Sequence, residues 1–141
     1  MIIKQLSVFL ENKSGRLTEV TEILAREGIN LSALSLADTS EFGILRMVVS
    51  DPETAYKVLK ENNYSVNLTD VMCLVTPNEP GSLMRALKIF SEEGVSVEYL
   101  YAFSMGDKAL TIIKTENVDR AILILVEYKM QLLKASELYQ F

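Results

Sequence analysis

The chain contains no histidine and no tryptophan, one cysteine and only three prolines. Without an imidazole it lacks the usual general base near neutral pH and the commonest metal ligand, and one thiol cannot replace it at a zinc site. Only a site of carboxylate oxygens stays open to a metal, and no D-x-D-x-D-G cluster suggests one. Cys73 cannot form an internal disulfide. Inside the apolar run Val71-Met72-Cys73-Leu74-Val75 it reads as a small buried hydrophobe with no catalytic part. Apolar runs of the roughly 18 to 20 residues that span a bilayer are missing too, although 49% of the residues are hydrophobic. Basic runs are also absent: 14 Lys and Arg stand scattered against 19 Asp and Glu, for a formal net charge of -5. That balance opposes a phosphate backbone and an anionic membrane surface, so neither nucleic acid nor membrane is an expected partner. The opening MIIKQLSVFLENK has one basic residue before its apolar stretch and reads as a strand rather than a signal peptide, which makes the cytoplasm the expected location.

What the chain does have is one small unit written twice. Residues 11–28, ENKSGRLTEVTEILAREG, are answered by residues 77–94, PNEPGSLMRALKIFSEEG, at one fixed offset that matches Asn12 with Asn78, Gly15 with Gly81, Leu17 with Leu83 and Gly28 with Gly94. Two units follow, residues 1–70 and 71–141. The apolar positions Leu17, Val20, Ile23 and Leu24 recur at helical spacing, and Gly28 stops that helix. Residues 29–37 and 44–49 read as a hairpin around the polar loop 38–43. Asp51-Pro52 starts a second helix that frays at Asn62-Asn63, and residues 64–70 supply a fourth strand. The order strand, helix, strand, strand, helix, strand predicts an α+β fold of two ferredoxin-like βαββαβ units side by side, each an antiparallel sheet with its helices on one face. Residues 64–76 hold neither Pro nor Gly, so no flexible linker parts the copies. Val97, Tyr99, Tyr101 and Phe103 alternate along one strand, which predicts an apolar stripe on the second face of the sheet.

The repeated loop carries the candidate chemistry. Residues 12–17 and 78–83 combine an amide side chain, a glycine and the first free N–H groups of a helix, which together can receive a carboxylate. The amide both donates and accepts, so it suits the head group of a small zwitterion. The same residues also make an ordinary strand-to-helix turn, and duplication preserves geometry as readily as a site. Asp38 reads either as a partner for a ligand ammonium or as a solvated turn acid. No nucleophile stands beside a base, and no Gly-rich, arginine-containing phosphate loop lies near the N-terminus, so no enzyme activity is expected.

The stretches ENKSGRLTEVTEILAREGINL and PNEPGSLMRALKIFSEEGVSV resemble the opening of the ACT domain, in which Asn or Asp, a variable residue, Pro-Gly, Leu and a helix lead to Gly and Ile-Asn-Ile. The resemblance spans nearly the whole chain as two tandem copies. It implies a regulatory module that binds a free amino acid where paired domains meet, needs no cofactor, and relays occupancy to amino acid metabolism as a sensor. Carried over by position, the implied ligand contacts are Asn12, Ser14, Gly15, Arg16 and Leu17, then Asn78, Pro80, Gly81, Ser82 and Leu83, with the strand starts Asn30-Leu31 and Ser96-Val97. Ser14 stands where the pattern has proline, which predicts a looser first loop. Leu10 and Thr76 stand where serine-binding members carry histidine, which points away from serine. The acidic balance tilts the expected ligand towards a neutral or basic amino acid. Partners implied beyond it are a second copy of the chain or a metabolic enzyme, because Gly-Ser-Leu and Gly-Val-Ser-Val-Glu also resemble small subunits of branched-chain amino acid synthases.

Overall fold

A computed structural model describes residues 1–38 and 41–140 and, of Asp38, the backbone only. The elements run β1 (Ile3–Glu11), α1 (Arg16–Arg26), β2 (Leu31–Asp38), β3 (Phe42–Val49), α2 (Pro52–Glu61), β4 (Ser65–Pro77), α3 (Ser82–Glu92), β5 (Val97–Met105), β6 (Lys108–Thr115), α4 (Val118–Glu127), β7 (Gln131–Leu132) and α5 (Ala135–Leu138). Two compact units result. One holds Lys4–Thr69 with Ser136–Phe141, the other Met1–Ile3 with Asp70–Ala135. Each is a βαββαβ unit with an antiparallel sheet and its helices on one face. The two strands expected over residues 64–76 are one continuous strand, β4, because no Pro or Gly interrupts the run.

In the first unit the strand order is β2-β3-β1-β4. Leu6, Val8 and Leu10 of β1 and Leu45, Met47 and Val49 of β3 turn to one side, where Val20, Ile23 and Leu24 of α1 and Ala55 and Leu59 of α2 close over them. The period of two on the strands meets the three-and-four spacing of the helices, and at about 25 cal/mol per Å² this burial is the main stabilising term of the unit. Leu17, expected on the inner face of α1, is instead 37% exposed at the loop. The end of α2 is capped rather than frayed: the Asn62 amide donates to the Val58 carbonyl at 2.7 Å and Asn63 takes a left-handed φ of 67°. The β2–β3 connection is shorter than expected, since Phe42 and Gly43 already lie in β3 and Asp38 pairs with Gly43. Thr39 and Ser40 lie outside the described residues.

The second unit repeats the arrangement as β5-β6-β4, with β7 on the other edge of β4. Met72, Leu74 and Ile113 face Ala86 and Phe90 of α3 and Ala121 and Leu125 of α4. On the face away from the helices Val71, Cys73, Val75, Leu110 and Ile112 are buried as well. A bulge corrects the expected stripe on β5. The register shifts between Val97 and Tyr99, so Val97 joins Leu100 in the helix-side core while Tyr99, Tyr101 and Phe103 line up beside Lys114, Ile112 and Leu110 on the opposite face. The corresponding bulge in the first unit falls between Leu31 and Ala33, and Leu31 likewise packs on the core.

Candidate functional site

Four helices longer than a turn start in two different ways. Asp51 accepts a hydrogen bond from the Thr54 amide at 3.1 Å and Asn117 one from the Arg120 amide at 3.0 Å, so α2 and α4 carry side-chain caps. The helices α1 and α3 begin instead at Gly15, with φ 88° and ψ -10°, and Gly81, with φ 87° and ψ -9°, and neither has a side-chain cap. Both glycines are required by their left-handed backbone, which costs an L side chain roughly 1 to 2 kcal/mol. A Cβ at Gly15 would meet nothing within 4 Å, so open space lies beside this backbone. With Ser14 before the first glycine and Pro80 before the second, the two glycines still take the same backbone conformation within a degree.

The rest of the loop is tied to the neighbouring hairpin in the same way in both copies. The Asn12 backbone N–H donates to the Glu41 carbonyl at 3.0 Å and the Asn78 backbone N–H to the Asp107 carbonyl at 2.8 Å. In the second copy the Asn78 side chain is also committed, donating to the Gly106 carbonyl at 3.3 Å. There Arg85 Nη2 donates to Ser82 Oγ at 3.2 Å and stands 3.7 Å from the Glu79 carboxylate, while its Nη1 would sit 3.6 Å from a Cβ on Gly81. This guanidinium occupies the space over the second loop. Pro80 is exposed, Ser82 is buried and Leu83 is half-buried.

The first loop borders an open cavity. A space of about 90 Å³ is lined by Asn12, Arg16 and Leu17, with Leu10, Leu36 and Gly43 opposite. Ser14 and Gly15 are exposed at its side rather than in its wall. Arg16 stands 3.9 Å from Glu11 and 3.5 Å from Glu19, and Lys13 meets Glu11 at 2.9 Å. Lys13 first, then Arg16, holds the Glu11 carboxyl below its ordinary pKa.

The expected site residues divide between the two ends of each sheet. Asn30 and Leu31 lie where β2 begins, and the Asn30 amide donates to Ser50 Oγ at 2.9 Å at the end of β3 remote from the loop. Ser96 and Val97 are their counterparts; Ser96 borders a cavity of about 120 Å³ with Glu116, Asn117 and Arg120. Neither pair meets the loop of its own unit. Asp38 sits at the hairpin end of β2, near the loop by strand register, and its side chain lies outside what is described. Among the described residues no group of three His, Cys, Asp or Glu side chains could hold a metal, and no helix is long and apolar enough to cross a membrane.

Sequence reasoning missed a larger space beside the loop. A groove of about 460 Å³ adjoins the small cavity through Glu11 and Arg16 and is lined also by Phe9, Phe42, Glu19 and Tyr64. One signal was legible: Phe9 is a large apolar residue on the polar phase of the β1 alternation, and it stays 45% exposed.

Among solved structures, protein BT0572 from Bacteroides thetaiotaomicron is 55% identical to the chain, covers 100% of it and 98% of its own length, and superposes with a TM-score of 0.97. The regulatory subunit of aspartate kinase from Thermus thermophilus, in a ligand-free form, shares the fold at 14% identity, with a TM-score of 0.65 over 89% of this chain and 93% of that one. The same subunit from Thermus flavus matches at 15% identity and a TM-score of 0.59, over 89% and 92% of the two chains. No curated protein matches. The model of the family described as ACT domain pair matches residues 1–141, and the chain belongs to that family.

Proposed function

We propose that the protein is a non-catalytic regulatory protein that binds a free amino acid at the first copy of the repeated loop and relays its occupancy to amino acid metabolism. One observation carries the reading: the two repeated helices are the ones that start at a left-handed glycine without a side-chain cap, and in the first copy that uncapped tip borders a cavity beside Asn12 and Arg16. Unpaired N–H groups, a helix dipole and a guanidinium converge on one small space and favour a carboxylate there. The Asn12 amide supplies the donor or acceptor that the α-amino end of the ligand needs. The second copy is the weaker site, because Arg85 and the committed Asn78 amide already use its polar groups. Binding regulates by favouring the arrangement of the chain, or of a pair of chains, that holds the ligand best.

A thermal-shift screen of the twenty amino acids tests this. A ligand at a hundred times its Kd adds about 2.7 kcal/mol of stability, and Asn12→Ala removes most of that gain while leaving the free protein folded. If no amino acid raises the melting temperature, the reading fails. A second reading, an assembly subunit of a biosynthetic enzyme such as a branched-chain amino acid synthase, is favoured by the outer face of α4, where Leu123 is 69% exposed and Val126, three residues on, is exposed too. A stable complex with the synthase catalytic chain, together with no response to any amino acid, selects it.

A further inference from the structure

The groove beside the first loop has the size and the wall chemistry to receive more than a head group. Its volume, about 460 Å³, lies in the range of small-molecule sites, whereas the loop cavity of about 90 Å³ holds little beyond a carboxylate and an ammonium. Two aromatic rings line the groove, Phe9 at 45% and Phe42 at 49% exposure. Exposed phenylalanines converging on one concavity leave apolar surface that a ligand can cover. The charged groups are arranged for a zwitterion. The Arg16 guanidinium sits 3.5 Å from Glu19 and 3.9 Å from Glu11, distances of ion pairing rather than of hydrogen bonding, and these contacts leave it able to take a closer anionic partner. Tyr64 adds an independent sign of an absent partner. Its hydroxyl oxygen is shielded from solvent and makes no hydrogen bond of good geometry, with Glu19 and Arg16 as the polar groups beside it in the groove wall. Burial first, and then hydrogen bonding to the nearby Glu19 carboxylate, raises its pKa above the ordinary phenol value.

We infer that the groove formed by Phe9, Phe42, Tyr64 and Arg16 makes this site selective for an amino acid with an aromatic or large aliphatic side chain. This rests on the reading of the loop as an amino acid site and specifies its ligand. The carboxylate lies against Arg16 and accepts the Tyr64 hydroxyl proton, the ammonium faces Glu11, and the side chain covers Phe9 and Phe42. Arg16 is the cation of the groove wall and Lys13 is already paired with Glu11 at 2.9 Å, so a second carboxylate on the ligand finds no unpaired cation beside Glu11 and Glu19 and is disfavoured.

The test is titration of the full chain with L-phenylalanine, L-leucine, L-alanine and L-glutamate, followed by melting temperature and calorimetry. L-Phenylalanine and L-leucine are expected to bind at least tenfold more tightly than L-alanine, with L-glutamate weakest, since one buried apolar group is worth a factor of about ten or more. Phe42→Ser, at a half-exposed position, removes the preference without unfolding the protein, and Tyr64→Phe weakens L-phenylalanine about tenfold while leaving the free protein at least as stable. Equal affinities for L-phenylalanine and L-alanine overturn the groove but keep the loop as an amino acid site. An unaltered L-phenylalanine affinity in Phe42→Ser likewise overturns the groove. Silence towards these four with a response to another of the twenty amino acids overturns the groove alone, and silence towards all twenty overturns both readings.

Discussion

Arg16 and Ser82 occupy the same place in the repeat, directly after the left-handed glycine, and this one difference separates the two loops. Arg16 is half-buried and borders both the cavity and the groove, whereas Ser82 is buried and accepts a bond from Arg85. Each loop thus has a guanidinium over it, from a different position: in the first copy it leaves a space beside it and in the second it covers the glycine. Arg85 had no signal in the repeat, because the matching residue of the first copy is Glu19. Cys73 is the residue whose environment was most legible. It is buried in β4, and burial pushes its thiol pKa up to about 12. The native protein is therefore expected to resist an aromatic disulfide reagent at pH 8 for as long as it stays folded, and to react with one thiol per chain in denaturant. Fast reaction of the native protein would contradict the burial.

At the scale of elements, the two ways of starting a helix make separable predictions. Asp51 and Asn117 act as caps, and replacing either with Ala is expected to cost about 1 kcal/mol, read as a lowered denaturant midpoint, with no change in the response to amino acids. The Asp51 cap was visible as Asp followed by Pro. The left-handed glycines were visible as residues kept in both copies, but their meaning was not, since a glycine needed for a turn and one that opens the backbone to a ligand look the same in sequence. The bulges at Leu31/Ala33 and Val97/Tyr99 were invisible. A bulge is set by how two strands register against each other, and alternation read along one strand carries straight through it. Alternation alone therefore places Val97 on the wrong face.

For the molecule as a whole, the missing histidine has a direct consequence for stability against pH. No side chain has its ordinary pKa between about pH 5 and 8, so the melting temperature of the free protein is expected to stay nearly flat across that range. The Thr54 hydrogen bonds hold the Asp51 carboxyl below its ordinary pKa, and Lys13 and Arg16 do the same for Glu11. A depressed carboxyl contributes stability above its unfolded pKa, so that share is lost as the pH falls below about 4. The raised Cys73 thiol acts at the other end: its share is complete below pH 9.0 and is lost as the pH rises towards about 12. Differential calorimetry across these windows checks the plateau and both flanks. A melting temperature that moved sharply between pH 6 and 7 would count against this account.

The duplication, the strand and helix order, the buried cysteine and the membership of the ACT domain pair family all follow from what is written along the chain, because each depends on residues near one another in sequence and on a repeat that local periodicity exposes. The folding of each unit decided the rest. It put Asn30 and Ser96 at the end of the sheet remote from the repeated loops, laid Arg85 across Gly81, and brought Phe9, Phe42 and Tyr64 around Arg16. Those four groove residues come from β1, β3, the turn before β4 and the start of α1. Only antiparallel pairing and helix packing make such distant positions neighbours.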